Sequence, residues 1–234
     1  STLDRSSAAS DVYKRQGEIA EVAIIFAVTD EAEGKHGITA FVVPADTPGY
    51  KVARAEGKLG QKSSDTAQLV FEDMKVPAEC VLGEVGEGYR LALSNLEAGR
   101  IGIAAQSVGM ARAALDFAIQ YAKERESFGQ PIIQHQAVSF RLADMAAKLK
   151  SAELMTLEAA RQKDASVPCL EQACMAKLLA SEVAEEVCSA AIQTLGGYGY
   201  LSEYPVEKIY RDVRVCQIYE GTSDIQRMII ARGL

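Results

Sequence analysis

The stretch VGMARAALDFAIQYA, residues 108–122, places small and apolar side chains on one face of a helix. The members of that face recur every three or four residues, as in an amphipathic helix: Val108, Ala111, Leu115, Ala118 and Ala122. Because alanine dominates the face, another helix can approach it closely. The stretch therefore predicts one member of a packed helical bundle.

Two further helices are predicted toward the C-terminus. The first follows the turn at FGQP, and its apolar face comprises Ala137, Phe140, Leu142 and Met145. The second runs from about Cys169 through Thr194 and ends at GGYGY, where consecutive glycines stop a helix. Long helices with short connections predict an antiparallel four-helix-type bundle.

Residues 17–76 have the pattern of β-strands instead. EVAIIFAVTD and GITAFVVPAD are rich in β-branched and aromatic residues, and TAQLVFED alternates apolar with polar positions. A half-buried antiparallel sheet, or part of a β-barrel, fits this pattern. The glycine-rich stretch KVPAECVLGEVGEGY then breaks regular structure. We predict an α+β chain with a partial β-domain at 17–85 and a helical bundle domain at 86–234.

Residues 1–16, STLDRSSAASDVYKRQ, are polar, lack a hydrophobic period and do not begin with methionine. We predict that they are a non-native scar joined to a truncated native chain.

Composition limits the function classes. The chain has 234 residues, of which 48% are hydrophobic, and a net charge of −7, which argues against a nucleic-acid partner. Five cysteines without a CxxC pair suit core-filling thiols in a reducing compartment, and two histidines offer little for a metal site. No apolar run is long enough to cross a bilayer. We expect a soluble intracellular protein without metal or membrane insertion.

The stretch IYEGTSDIQRMIIAR, residues 218–232, places a lone acidic residue, Glu220, in a turn before a helix. Thr222 and Ser223 are good N-cap residues for that helix, so Glu220 lies outside it. Since Gly221 has no side chain, another molecule can approach the carboxylate closely. The ordinary alternative is a solvated turn carboxylate.

Five separated motifs occur in one order: LEAGRIGIAAQ, RESFG, QTLGGYGY, EYPVEKIYRD and YEGTSDIQR. This order resembles the acyl-CoA dehydrogenase family, from Gly17 onward. The resemblance implies the second half of the family's middle β-domain followed by its C-terminal helical domain. It also implies that the family's N-terminal helical domain and first β-domain half are missing here, which leaves the activity of this chain by itself open.

The resemblance implies a FAD-dependent enzyme that converts a short, medium or branched acyl-CoA to its trans-2-enoyl form. Glu220 matches the base that removes the proton beside the thioester carbonyl. The implied substrate-binding residues are Arg100, Glu97, Tyr219 and Gly221. One branch of the family carries its base at the position of Gly99, which cannot supply a carboxylate here. For Glu97 and Arg100, the ordinary alternative is an i,i+3 ion pair on a helix surface.

The resemblance also implies a set of FAD contacts: Arg125, Phe128, Gln136, Gln193, Gly196, Gly197, Thr222, Ser223 and Asp224. Ordinary alternatives are a salt bridge from Arg125 to Glu124 or Glu126, and a core position for Phe128. Several of these residues serve the FAD of a neighbouring subunit in the family. A homodimer or homotetramer is therefore implied.

The implied role is fatty acid β-oxidation or branched amino-acid catabolism, with an electron-transfer flavoprotein as electron acceptor. The implied location is the cytoplasm in a bacterium or the mitochondrial matrix in a eukaryote. Two alternatives stay open: an acyl-CoA oxidase that passes electrons to oxygen, and a non-catalytic bundle that serves as a binding module. Acyl chain length and branching are not readable from the sequence.

Overall fold

The computed structural model describes residues 13–234, with side chains from residue 16 onward. It shows an α+β chain with two compact units, one ending at Asn95 and the other spanning Leu96–Leu234. The predicted fold class is confirmed. Residues 1–12 of the segment predicted to be non-native lie outside the described residues, whereas residues 13–15 of that segment form a strand.

The first unit is built from short antiparallel strands. They are β1 (Tyr13–Arg15), β2 (Val22–Val28), β3 (Ile38–Pro44), β4 (Tyr50–Ala55), β5 (Thr66–Phe71) and β6 (Val81–Leu82). Two three-stranded sheets result, in the orders β1-β5-β4 and β2-β3-β6. Within residues 13–234 the strands form sheets and no closed barrel. Phe41, Val43 and Met74 form the buried centre of this unit.

Helices dominate the rest of the chain. The long ones are α1 (Gly88–Glu124), α2 (Gln136–Asp164) and α3 (Leu170–Leu195), and two short ones, α4 (Pro205–Val213) and α5 (Ser223–Ala231), complete the bundle. A small hairpin of β7 (Glu126–Ser127) and β8 (Gln130–Pro131) joins α1 to α2. All three long helices predicted from sequence are present.

Alanine makes the close packing of the bundle possible. On α1, the alanines with no exposed surface recur at helical spacing: Ala104, Ala111, Ala114, Ala118 and Ala122. On α3 the corresponding alanines are Ala173, Ala176, Ala184 and Ala191. Their small side chains join Leu115, Leu149 and Val187 in one core.

The predicted apolar face of α2 was partly wrong. Leu142 and Met145 are buried, but Ala137 is exposed and Phe140 is 60% exposed. The buried face continues through Leu149 with helical spacing. Phe140 lies two positions before Leu142, which is about 200° around a helix, so it faces away from the core.

The cysteines behave as core-filling thiols. None of the five forms a disulfide; four are buried, and Cys80 is partly exposed. Burial raises the pKa of Cys188 to about 12, so this thiol stays protonated at neutral pH. Within the described residues, no helix combines the length and apolarity needed to span a membrane.

Enlarging a buried alanine on α3 should destabilise the bundle. We expect Ala184→Leu to lower the free energy of unfolding by about 1–3 kcal/mol, because the fully buried site has no room for three more carbons. Ala146→Leu makes the same change at an exposed position of α2 and should change the free energy of unfolding by less than about 0.5 kcal/mol. Urea unfolding followed by circular dichroism measures both. Equal losses in the two variants would contradict the packing described here.

Candidate active site

Glu220 lies in a turn with an uncommon backbone conformation. It follows the short 3-10 helix Arg214–Gln217 and precedes α5, whose N-cap is Thr222. Glu220 has φ +54° and Gly221 has φ +91°. A non-glycine residue at positive φ costs on the order of 1 kcal/mol and persists only where its surroundings impose it. The predicted cap is confirmed, because the Thr222 hydroxyl accepts a hydrogen bond from the Ile225 amide.

Two fully buried side chains hold the turn from inside the bundle. Lys177 Nζ donates a hydrogen bond to the Gly221 carbonyl at 2.6 Å. Gln226 Nε2 donates to the same carbonyl at 2.9 Å and to the Glu220 carbonyl at 3.1 Å. Sequence reasoning missed both residues. Lys177 had a detectable signal, because it occupies the apolar face of α3 between Ala173 and Ala184.

The Glu220 carboxylate lies directly against α1. A β-carbon built at Gly99 would come within 2.6 Å of Glu220 Oε2 and 3.1 Å of Glu220 Cδ. The position that carries the base in another branch of the family is therefore adjacent to the carboxylate of Glu220. With the carboxylate in this position, any larger residue at 99 would overlap it and the carboxylate would have to move.

Arg100 and Glu97 do not form the surface ion pair that was considered as an alternative. Arg100 is only 5% exposed, and its Nε has no hydrogen-bond partner among the described residues. Glu97 instead pairs with Lys163 of α2 at 2.9 Å, and this hydrogen bond holds the pKa of the Glu97 carboxyl below its usual range. Arg100 therefore remains a buried cation near the turn, whereas Glu97 is engaged in an interhelical contact.

The buried charges near Glu220 are positive. Burial lowers the pKa of the Lys177 ammonium, and the neighbouring charge of Arg100 lowers it further. The Glu220 carboxylate acts in the opposite direction and favours the charged lysine. The buried ammonium of Lys177 and the Glu220 carboxylate are therefore electrostatically coupled.

Tyr219 connects the turn to α1 at a second point. Its hydroxyl donates a hydrogen bond to Gln106 Oε1 at 2.6 Å and lies 3.5 Å from Cys216 Sγ. Gln106 was also missed by sequence reasoning, because a glutamine on a helix surface has no distinctive spacing. The residue before Glu220 is thus anchored to α1.

Four of the predicted FAD contacts line one cleft of about 440 Å³: Arg125, Gln193, Gly196 and Gly197. The Arg125 guanidinium lies 5.8 Å from the ring centre of Tyr198, and Glu124 accepts a hydrogen bond from Gln120. β-carbons at Gly196 and Gly197 would meet no atom within 4 Å. The cleft therefore offers a cation, an aromatic ring and bare backbone.

Phe128 is 96% exposed, so the alternative of a core position is wrong. Its φ of +52° is held by the tight turn between β7 and β8, where Gly129 follows at φ +79°. The ring meets His135 edge-on, with 6.0 Å between the ring centres. Gln136 is the exposed first residue of α2. Phe128 and Gly129 thus form the two-residue loop of the hairpin, with the Phe128 ring in solvent.

The remaining predicted FAD contacts lie elsewhere. Thr222, Ser223 and Asp224 are at the start of α5, where Ser223 Oγ is buried without a hydrogen-bond partner among the described residues. Two residues of α3 show how far this group lies from the cleft. Lys177 contacts the turn before α5, and Gln193 of the cleft follows it by 16 residues, or about 24 Å of helix. One chain thus presents two separate groups of predicted cofactor contacts.

Metal ligands are not clustered in the part of the chain that the structure describes. Residues 13–234 contain no group of three or more His, Cys, Asp or Glu side chains arranged to hold a metal ion.

Comparisons with known proteins identify the family of the chain. Residues 86–234 match the model of the acyl-CoA dehydrogenase C-terminal domain, and residues 13–74 match that of the middle domain. Human mitochondrial short-chain specific acyl-CoA dehydrogenase is 50% identical over 215 residues, covering 92% of this chain and 52% of that protein. An acyl-CoA dehydrogenase of Bacillus subtilis is 45% identical, covering 96% and 59%.

Solved structures agree as well. Butyryl-CoA dehydrogenase from Megasphaera elsdenii superposes with a TM-score of 0.92 at 44% identity, covering 95% of this chain and 58% of that one. The chain spans about half the length of the curated relatives it matches. Two family models that together match most of its residues, and relatives near 50% identity, show that the chain belongs to the acyl-CoA dehydrogenase family.

Proposed function

We propose that the chain forms part of a FAD-dependent acyl-CoA dehydrogenase in which Glu220 is the catalytic base. The observation that carries this proposal is the Glu220 carboxylate, held by a positive-φ turn against the bare backbone of Gly99. The substrate class is a short acyl-CoA thioester. This choice is supported by the short-chain specific human relative and the butyryl-CoA dehydrogenase of Megasphaera elsdenii.

The reaction removes two hydrogens from adjacent carbons of the acyl chain. Glu220 takes the proton from the carbon beside the thioester carbonyl, and the electron pair of that C–H bond forms the new double bond as hydride leaves the next carbon. The bound flavin supplies the chemistry of accepting that hydride. Because the first proton is weakly acidic, the carboxylate must be ionised, shielded and accurately placed.

Two features around Glu220 support this role. Gly99 leaves space for the carboxylate, and Arg100, the residue that follows Gly99 on α1, is buried. In this proposal Gly221 and Tyr219 also contact the substrate. Glu97 contributes only through its ion pair with Lys163.

The cleft beside Arg125 fits FAD. A guanidinium suits a pyrophosphate, an exposed aromatic ring suits a flat heterocycle, and open glycines let a ligand approach the backbone. In this proposal Phe128, Gln136 and Gln193 bind from the same side. Thr222, Ser223 and Asp224 bind at the start of α5, where free amide groups attract anions.

Two separated groups of contacts on one chain suggest two copies of the chain. We propose that the Arg125 cleft serves the FAD of a neighbouring copy, in a homodimer or homotetramer. The proposed electron acceptor is an electron-transfer flavoprotein. A structure reported as an electron transferring flavoprotein of Acidaminococcus fermentans and a caffeyl-CoA reductase–Etf complex subunit of Acetobacterium woodii, 44% and 47% identical, support that choice.

The proposed location follows the organism. The relatives include a human protein named as mitochondrial and a protein of the bacterium Bacillus subtilis. A eukaryotic source would place the protein in the mitochondrial matrix and a bacterial source in the cytoplasm.

Glu220→Gln should abolish thioester oxidation without loss of cofactor. We expect butyryl-CoA to bleach the flavin absorbance band anaerobically, and the variant to do so about 10²–10⁴-fold more slowly, because an amide cannot accept the proton. The measurement is stopped-flow absorbance on the chain and on a longer protein that contains it. Unchanged bleaching would contradict Glu220 as the base. Peroxide formation without an added acceptor would identify an oxidase, and the absence of any flavin band would favour a binding module.

Adding one methyl group at residue 99 should displace the base. We expect Gly99→Ala to lower kcat for butyryl-CoA about 100-fold, because its β-carbon would overlap the Glu220 carboxylate. Gly102→Ala is the matched control on the same helix, since its β-carbon meets nothing within 4 Å. That control should retain activity and gain about 0.5–1 kcal/mol of stability. Equal activity in the two variants would refute the contact.

Reversing the charge in the cleft should weaken FAD binding. We expect Arg125→Glu to raise the Kd for FAD at least about tenfold, through loss of a charge-assisted contact. Lys123→Glu makes the same charge change on a neighbouring exposed residue that does not line the cleft. Flavin fluorescence titration of both variants measures the difference. Equal weakening would mean that general charge, rather than the cleft, attracts FAD.

A further inference from the structure

Lys177 is a fully buried cation for which the proposed reaction has no task. It lies on α3 with no exposed surface, in an otherwise apolar row of alanines. Burying an ammonium group is costly unless strong hydrogen bonds compensate. The compensating contact is the 2.6 Å hydrogen bond to the Gly221 carbonyl. The unfavourable burial of a charge against the Glu220–Gly221 turn needs a physical explanation.

Lys177 and Gln226 both donate to the Gly221 carbonyl. Gln226 is also fully buried and donates to the carbonyls of both Glu220 and Gly221. In a trans peptide the C=O and N–H bonds point in opposite directions. With both carbonyls directed at Lys177 and Gln226, the amide groups of Gly221 and Thr222 must point away from them. Two adjacent peptide planes are therefore fixed.

Fixing these two planes sets the backbone of Gly221, the residue between them, at φ +91°. Glu220, at φ +54°, lies directly before the first of these planes, so the orientation of the peptide that follows it is held as well. The peptide that follows is the one whose carbonyl accepts from Gln226, and the next accepts from both residues. Hydrogen bonds from a charged donor are roughly twice as strong as neutral ones. A lysine therefore holds this position more firmly than a neutral side chain would.

We propose that Lys177 and Gln226 are positioning residues that fix the Glu220–Gly221 turn and thereby keep the Glu220 carboxylate against Gly99. The catalytic consequence rests on the proposed function, whereas the ordering of the turn does not.

The electrostatics around Lys177 support this role over a role in fold stability. The groups that act on its ammonium besides burial are Cys216, Glu220 and Cys174, which favour the charge, and Arg100, which opposes it. Burial lowers the pKa of Lys177, so the folded state pays for the charge at neutral pH. Replacement by methionine, of similar length, removes that cost. The free energy of unfolding should therefore fall little or rise, while the turn loses the hydrogen bond from Lys177.

Amide hydrogen exchange tests the ordering of the turn without substrate or cofactor. In Lys177→Met we expect peptides covering residues 219–226 to exchange at least about tenfold faster, as loss of one charge-assisted hydrogen bond implies. Exchange in α2 should not change. Gln226→Met should have the same local effect and serves as the second variant if Lys177→Met fails to fold. Thr156→Val removes a buried hydroxyl that bonds only within α2, and is the matched control.

Kinetics supply the second readout. We expect Lys177→Met to lower kcat for butyryl-CoA at least about tenfold, with KM and melting temperature nearly unchanged, whereas a merely structural role would lower the melting temperature. Unchanged exchange at 219–226 in folded variants of both residues would overturn the proposal, as would faster exchange with full kcat. If the unsubstituted protein does not oxidise thioesters but the exchange effect is present, the positioning role stands and the proposed function fails.

Discussion

The contact between the Glu220 carboxylate and the backbone of Gly99 is the constraint on which the rest of the site depends. It requires α1 to lack a side chain at one position and the turn before α5 to adopt positive φ at a non-glycine residue. Neither requirement is favourable alone. The turn is held from α3, where Lys177 donates to the Gly221 carbonyl, and from α5, where Gln226 donates to the carbonyls of Glu220 and Gly221. Three elements far apart in sequence thus specify the place of one carboxylate.

Charge is distributed unusually around this carboxylate. Arg100 and Lys177 are almost completely buried, and the acidic group beside them is Glu220 itself. An isolated buried cation destabilises a fold, so Lys177 lowers stability while its hydrogen bond to the Gly221 carbonyl holds the turn. Glu97 illustrates the contrast, because its charge is used in an ordinary contact between α1 and α2.

Sequence reasoning recovered the elements better than the contacts. The helices, the antiparallel strands and the Thr222 cap follow from local patterns, since periodicity and capping act within a few residues. Phe140 was misplaced because a short apolar run at a helix start does not reveal which face is buried. Lys177, Gln226 and Gln106 were missed because their partners are 44, 6 and 113 residues away or carry no pattern at all. The resemblance pointed to Glu220 but not to what holds it.

The sequence by itself determined the α+β class, the order of helices and the presence of a carboxylate in a turn before a capped helix. These features depend on interactions between residues close along the chain. Only the tertiary structure decided which groups surround Glu220, that Glu97 pairs with Lys163, and that Phe128 is exposed. Those outcomes depend on how distant helices pack, because burial and hydrogen bonding between them are set by three-dimensional proximity that no local pattern encodes.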